Sequence, residues 1–191
     1  MALPEEPGGR EPAPGALRLI QEFVNSRIIE GGTDDWPTPE ALAAFLAGRG
    51  LLGRGEELGE RDLAWAKEVR EALRGVLRAN NGSLADPDQV AALTRAAQEA
   101  QLFVRFRADG QTRMDVGATG LAGALGRVIA VVHGAMADGT FARLKACRRD
   151  VCQWVFYDQS KNRSGSWCSM SICGNREKSS TYYRRRRGAG T

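Results

Sequence analysis

Cys147-Arg148-Arg149-Asp150-Val151-Cys152 and, fifteen residues further on, Cys168-Ser169-Met170-Ser171-Ile172-Cys173 hold all four cysteines of this 191-residue chain. Two equal C-x4-C loops joined by a hairpin-length connection suit the tetrahedral thiolate shell that zinc prefers. Within the connection, Trp154-Val155-Phe156-Tyr157 is a β-prone run, Asp158 to Gly165 is a polar turn, and Ser166-Trp167 leads back to Cys168. A module this short buries too little apolar surface to fold alone. Metal then supplies its stability, about 10–16 kcal/mol in zinc-finger peptides. Two disulfides, buried free thiols or iron–sulfur ligation use the same side chains. The equal spacing and the reducing compartment inferred below favour one structural Zn2+ per chain on Cys147, Cys152, Cys168 and Cys173.

If Cys173 is the last ligand, the residues from Gly174 onward start a helix and the module has a treble-clef-like layout. Gly174 would let backbone N–H groups approach the thiolates. Arg176, Lys178, Arg184, Arg185, Arg186 and Arg187, with Tyr182 and Tyr183, then decorate a helix pinned to the metal. Guanidinium groups suit guanine edges and phosphates. Four consecutive arginines cannot share one helix face, so part of the run trails off as a flexible phosphate clamp. The bland alternative is a solvated charge run. Against it stands the charge asymmetry. Residues 143–187 carry twelve Lys and Arg against three acidic residues, a balance of +9, whereas residues 1–142 carry fifteen against twenty, a balance of −5. Bound zinc with four thiolates subtracts two charges from the first figure and leaves it strongly positive. One end of the chain therefore seeks a polyanion.

Upstream the pattern is helical. Residues 1–15, rich in Pro, Gly and Glu, read as a disordered tail without the apolar stretch of a signal peptide. Helices are expected over 17–29, from a Thr38 cap with Pro39 onward, over about 60–79, and from Asp86-Pro87 to about 101. The period then changes to two: a hairpin with the three-residue loop Ala108-Asp109-Gly110 pairs Phe106 with Thr112 and Val104 with Met114. Residues 121–136 return to helix, apolar nearly all round and so expected as the buried central element. No run of about 18 apolar residues exists, which argues against a spanning helix and for a cytoplasmic protein without a membrane partner. Asp138-Gly139 marks the expected boundary. The fold expected is mainly α with one β-hairpin over 16–138, a zinc module over 139–187, and a short tail over 188–191.

Cys173-Gly174-Asn175-Arg176, after three cysteines at these spacings, resembles the CGNR zinc finger. The front half resembles the ABATE domain that usually precedes that finger in bacterial proteins classed as stress-induced transcriptional regulators. Phe23-Val24-Asn25-Ser26-Arg27 matches its FVNTR-type segment with Ser26 for Thr, and Val69-Arg70-Glu71-Ala72-Leu73-Arg74 its LREALR-type helix. The resemblance covers about residues 17–187 and implies a DNA-binding finger attached to a domain of uncertain role. Ala, Gly and Arg usage (23 of the 27 basic residues are Arg) fits a GC-rich bacterial genome.

No nucleophile elbow, P-loop, GxGxxG or HExxH pattern occurs, and a zinc saturated by sulphur offers water no open position, so an enzyme is not expected. Asn25 and Arg27 are candidates for a ligand pocket, against the alternative of bonds that fix a loop. His133, the lone histidine, reads as a hydrogen-bonded core residue, and Trp154 and Trp167 as the finger's miniature core. The function expected is a zinc-dependent, DNA-binding transcriptional regulator whose front half senses a small-molecule effector or mediates homodimerisation. The rivals are a zinc-finger adaptor gripping a protein and an RNA-binding protein.

Overall fold

Leu17, Ile20, Phe23 and Val24 recur at helical spacing and are buried together on one face of α1 (Leu17–Asn25). They begin the core of a chain whose residues 6–179 are described by a computed structural model. The helix stops four residues short of the expected Ile29. Arg27–Ile28 (β1) instead pairs antiparallel with Thr33–Asp34 (β2), Arg27 opposite Asp34. Gly32, at φ +66°, supplies the left-handed residue of the connecting turn. Asp34 is held by a fork of two bonds from Arg70, at 2.8 and 2.7 Å.

α2 (Pro39–Ala47) starts as expected, with Thr38 Oγ1 accepting from Ala41 N and Pro39 in the first turn. Its Phe45 meets Trp36 and Phe23 edge-on, with ring centroids 5.0 and 6.4 Å apart. α3 (Glu60–Ala79) turns Leu63, Ala66, Val69, Leu73 and Leu77 inward and packs against α1, α2, α4 and α5. α4 (Pro87–Glu99) is capped by the Asp86 side chain. β3 (Leu102–Phe106) and β4 (Thr112–Val116) pair Phe106 with Thr112 and Val104 with Met114, the expected register, with Gly110 left-handed at φ +78°. α5 (Gly120–Ala137) closes the helical part against α1, α3, α4 and β4.

Two expectations about α5 change. At 18 residues and a mean hydropathy of 1.5 it does meet the length and composition of a spanning helix, contrary to the expectation that no such run exists. Its inner face, including Leu121, Ala124, Leu125 and Val128, is spent on the protein's own core. His133 is exposed rather than in the core. The helix covers the bundle on one side only, and its C-terminal outer face, including Met136, is open.

Packing is continuous across the expected boundary at 138/139. After a 3-10 turn at Phe141–Arg143, β5 (Leu144–Ala146) pairs antiparallel with β6 (Val155–Tyr157). Phe141, Leu144, Ala146 and Val155 belong to the same buried cluster as Ile20, Leu73 and Leu125. Residues 6–15 are likewise not a free tail. Ala13 is buried, Arg10 donates to the Trp167 carbonyl at 3.1 Å and lies over the Phe156 ring, and the Glu6 carboxylate accepts from Trp154 Nε1 at 3.0 Å. Composition read this segment as polar, but its polar groups find partners on the C-terminal module.

Buried Arg74 joins the parts most directly. From α3 it donates to the carbonyls of Val24 (2.7 Å), Arg27 (3.1 Å) and Gln153 (3.1 Å), while Glu71 balances its charge at 2.9 Å. Removing it takes the donor from three carbonyls, while Glu71 keeps Arg70 at 3.2 Å and Arg27 at 3.4 Å. Arg74→Ala is expected to lower stability by about 3–5 kcal/mol in chemical denaturation. An effect as small as that of an exposed arginine such as Arg61 would contradict this role.

Candidate metal centre and its docking

Cys147 directly follows β5 and its N–H donates to the Trp154 carbonyl at 2.9 Å, so the first C-x4-C loop is the turn of the β5–β6 hairpin. This differs from the expected hairpin, in which the Trp154–Tyr157 run folded forward on Ser166-Trp167. Its ladder partner precedes the first cysteine instead, and Ser166 contributes only a carbonyl to Arg148 N, at 3.0 Å. Gln153 takes a left-handed φ of +49° to bring the chain out of the knuckle. The second pair sits on a helical start. Ser169 Oγ accepts from Ile172 N, a wide turn follows over Met170–Gly174, and an α-helical turn continues over 175–179.

Gly174 packs against Met170 and Trp167. A Cβ there would lie 2.5 Å from Met170 Sδ and 3.3 Å from Trp167 Cδ1. Met170 Sδ is the end of a flexible, half-exposed side chain that can move aside, so this contact alone does not demand glycine. Asn175 Nδ2 donates to the Ser171 carbonyl at 3.2 Å and steadies the same turn.

The four Sγ atoms lie within 4.8 Å of one another, and Cys168 is 3.6 Å from both Cys152 and Cys173. All four cysteines are free of disulfides. Zn–S bonds of about 2.3 Å in a tetrahedron put sulphurs about 3.8 Å apart, so the donor set fits one ion with little adjustment. The thiols also disturb one another. Hydrogen bonds from Cys152 and Cys168 hold Cys147 down to about 2, whereas Cys152 is pushed up to about 12 and Cys168 is also raised, both chiefly by Cys147. Without a cation only part of the cluster ionises. A divalent ion removes that conflict and takes four thiolates. Around it Trp154, Phe156 and Trp167 pack with the cysteines and Ile28 as a second small core.

α1 and α3 grip the hairpin through its backbone. Asn80 Nδ2 donates to the carbonyls of Phe141 (3.0 Å) and Leu144 (2.8 Å), and Asn81 Nδ2 to that of Ala146 (2.6 Å). The Asn25 amide makes a two-way bond with Val155, at 2.8 Å each way. Both groups of Asn25 are thus committed to holding β6, although the residue also borders a small cavity. Arg27 is not on that cavity; it faces Glu71 at 3.4 Å. Sequence reading takes Asn80-Asn81-Gly82 only as the stop of α3 and Arg70 as one residue of a helical string, because the carbonyls and carboxylate they bond lie far away in sequence.

Of the basic residues expected to contact nucleic acid, Arg176 lies on the final helix, half-exposed, and pairs with Glu30 Oε1 at 2.8 Å. Arg149 uses the same oxygen at 2.7 Å. Lys178 is exposed. Tyr182, Tyr183, Arg184, Arg185, Arg186 and Arg187 lie outside the described residues.

Residues 17–142 match the ABATE family, described as "Putative stress-induced transcription regulator". The chain belongs to that family. Residues 143–186 match the CGNR zinc finger, so the four-cysteine cluster coincides with the finger's match. No curated protein matches the ABATE chain. Neither match is to a family of enzymes.

The purified ABATE chain is expected to hold close to one zinc per molecule by metal analysis, and to lose it on acidification as protons compete for the thiolates. Cys168→Ser is expected to abolish zinc retention and to lower the melting temperature read by helicity as well. A metal-free wild-type protein that melts unchanged in chelator would contradict a structural ion.

Proposed function

We propose that the chain is a zinc-dependent DNA-binding transcriptional regulator of the bacterial cytoplasm, with the CGNR finger as its DNA contact. The observation that supports this best is the outward charge of the finger. Arg148 on the knuckle and Lys178 on the final helix are exposed and, among the described residues, have no ion-pair partner. The arginines of 184–187 follow in sequence. Zinc would fix knuckle and helix relative to each other, so Arg148 and Lys178 form a preset surface for phosphates. The helical part would receive a small-molecule signal or pair with a second copy. Sulphur-saturated zinc leaves no position for substrate water, so the role proposed is recognition and not catalysis.

Glu30 favours a second reading in one respect: it shows that Arg149 and Arg176 accept a carboxylate at close range, as an adaptor for an acidic protein would require. Selection from random duplex DNA with zinc-loaded protein separates the readings. Enrichment of one short site supports the regulator. The salt dependence gives the magnitude: four to six phosphate contacts correspond to a slope of log K against log salt of about −4 to −5. Neutralising Arg184 to Arg187 is expected to flatten it by several units. A flat dependence, unchanged by that substitution and without an enriched site, would overturn the DNA reading and favour the adaptor; stronger binding to single-stranded RNA than to DNA would assign the partner to RNA.

A further inference from the structure

A cavity of about 160 Å³ opens between α1, the N-terminal segment and Trp154 of the finger. Carboxylates of Glu6, Glu22 and Asp35 border it, with Arg18 the one cation on its wall among the described residues. Glu22 is matched, by Arg18 at 2.7 Å and Arg49 at 3.0 Å. The other two are not. Among the described residues Glu6 accepts only from neutral donors, Gln21 Nε2 at 2.8 Å and Trp154 Nε1 at 3.0 Å. The Asp35 carboxylate has no hydrogen bond or ion pair among the described residues, since Arg70 is spent on neighbouring Asp34. The cations that act on Glu6 and Asp35 through space, Arg10, Arg18, Arg49 and Arg70, are all hydrogen-bonded to other acceptors. Burial, the largest influence on each, holds both carboxyls above their usual range.

We propose that this cavity binds a small organic cation, an ammonium or amidinium on a compact apolar body. Two uncompensated carboxylates supply acceptors for its N–H groups, and Trp154 with Pro12 supplies an apolar wall. A cavity of about 150 Å³ admits a six-carbon ring, which sets the size of the body. An anion would meet net negative charge, and a neutral isostere would leave the carboxylates unpaired. The inference deepens the sensor role proposed for the helical part, and its position makes that role physical. Trp154 directly precedes β6, so an occupant touches both α1 and the finger and strengthens their contact.

Calorimetric titration of the full zinc-loaded chain with benzamidinium, and with benzyl alcohol and benzoate as neutral and anionic counterparts, tests this. Saturable binding of benzamidinium alone is expected, weakened roughly tenfold or more in Asp35→Asn and in Glu6→Gln, with zinc content and melting temperature retained. Glutamine keeps an acceptor for Trp154, so the second variant removes charge and not the bond. No saturable heat up to about 10 mM benzamidinium would overturn the proposal. So would equal binding of benzyl alcohol, or binding undiminished in both variants. DNA affinity of the same samples without ligand is read separately, so failure of the regulator reading and failure of the cavity are distinguishable.

Discussion

Two strands of three residues each, β5 and β6, cannot stand as an independent hairpin in water. Everything around the metal follows from how that shortage is met. On one side zinc would tie the loop between the strands to the start of the last helix. On the other, five side chains from the helical part bond the hairpin's backbone and that of its flanking residues: Gln21 and Asn25 on Val155, Arg74 on Gln153, Asn80 on Leu144 and Asn81 on Ala146. The bonds substitute for a third strand, and Leu144, Ala146 and Val155 complete the apolar core of the bundle beneath them. The hairpin belongs to both halves of the chain, which is why the core does not part where the sequence composition changes.

The electrostatics repeat this interlocking. The helical part is acidic and the finger basic, and part of the difference is discharged internally: Glu30 in the β1–β2 turn takes Arg149 and Arg176, and Asp150 on the knuckle takes Arg78 at 2.6 Å. Such exposed pairs add little stability, about 0–1 kcal/mol each. Their larger effect is on what remains. Arg148 and Lys178 face outward while the inward arginines hold the finger in register, so the same residue type serves docking on one side of the module and an open basic surface on the other.

How much of this could be read from the chain depends on whether the signal was local. The cysteine spacing named four ligands that the fold brings together. The α3 limits, the Thr38 and Asp86 caps, and the β3–β4 register followed from periodicity and from Gly110. The ligand set needed no partner from elsewhere, and neither did those elements. The pairing of β6 with β5 was hidden because Leu144-Lys145-Ala146 is too short to show a period. The N-terminal segment looked disordered because its contacts, Glu6 to Trp154 and Arg10 to Trp167, span about 150 residues of sequence. Arg70, Glu71 and Arg74 stood out only as part of a family-like string. Their meaning, buried ion pairs and bonds to distant carbonyls, exists only once α3 lies against α1. α5 reads as a core helix, and its inner face is buried, but its length and composition also meet those of a span, which the sequence reading excluded.

The central claim is that finger and helical bundle are one cooperative unit through the β5–β6 hairpin. Heating the zinc-loaded chain while following helicity and the release of zinc to a chromophoric chelator together tests it most directly. One transition, with both signals changing at the same temperature, is the predicted result. Zinc released in a separate, earlier transition that leaves helicity unchanged would contradict the account and show two independent domains.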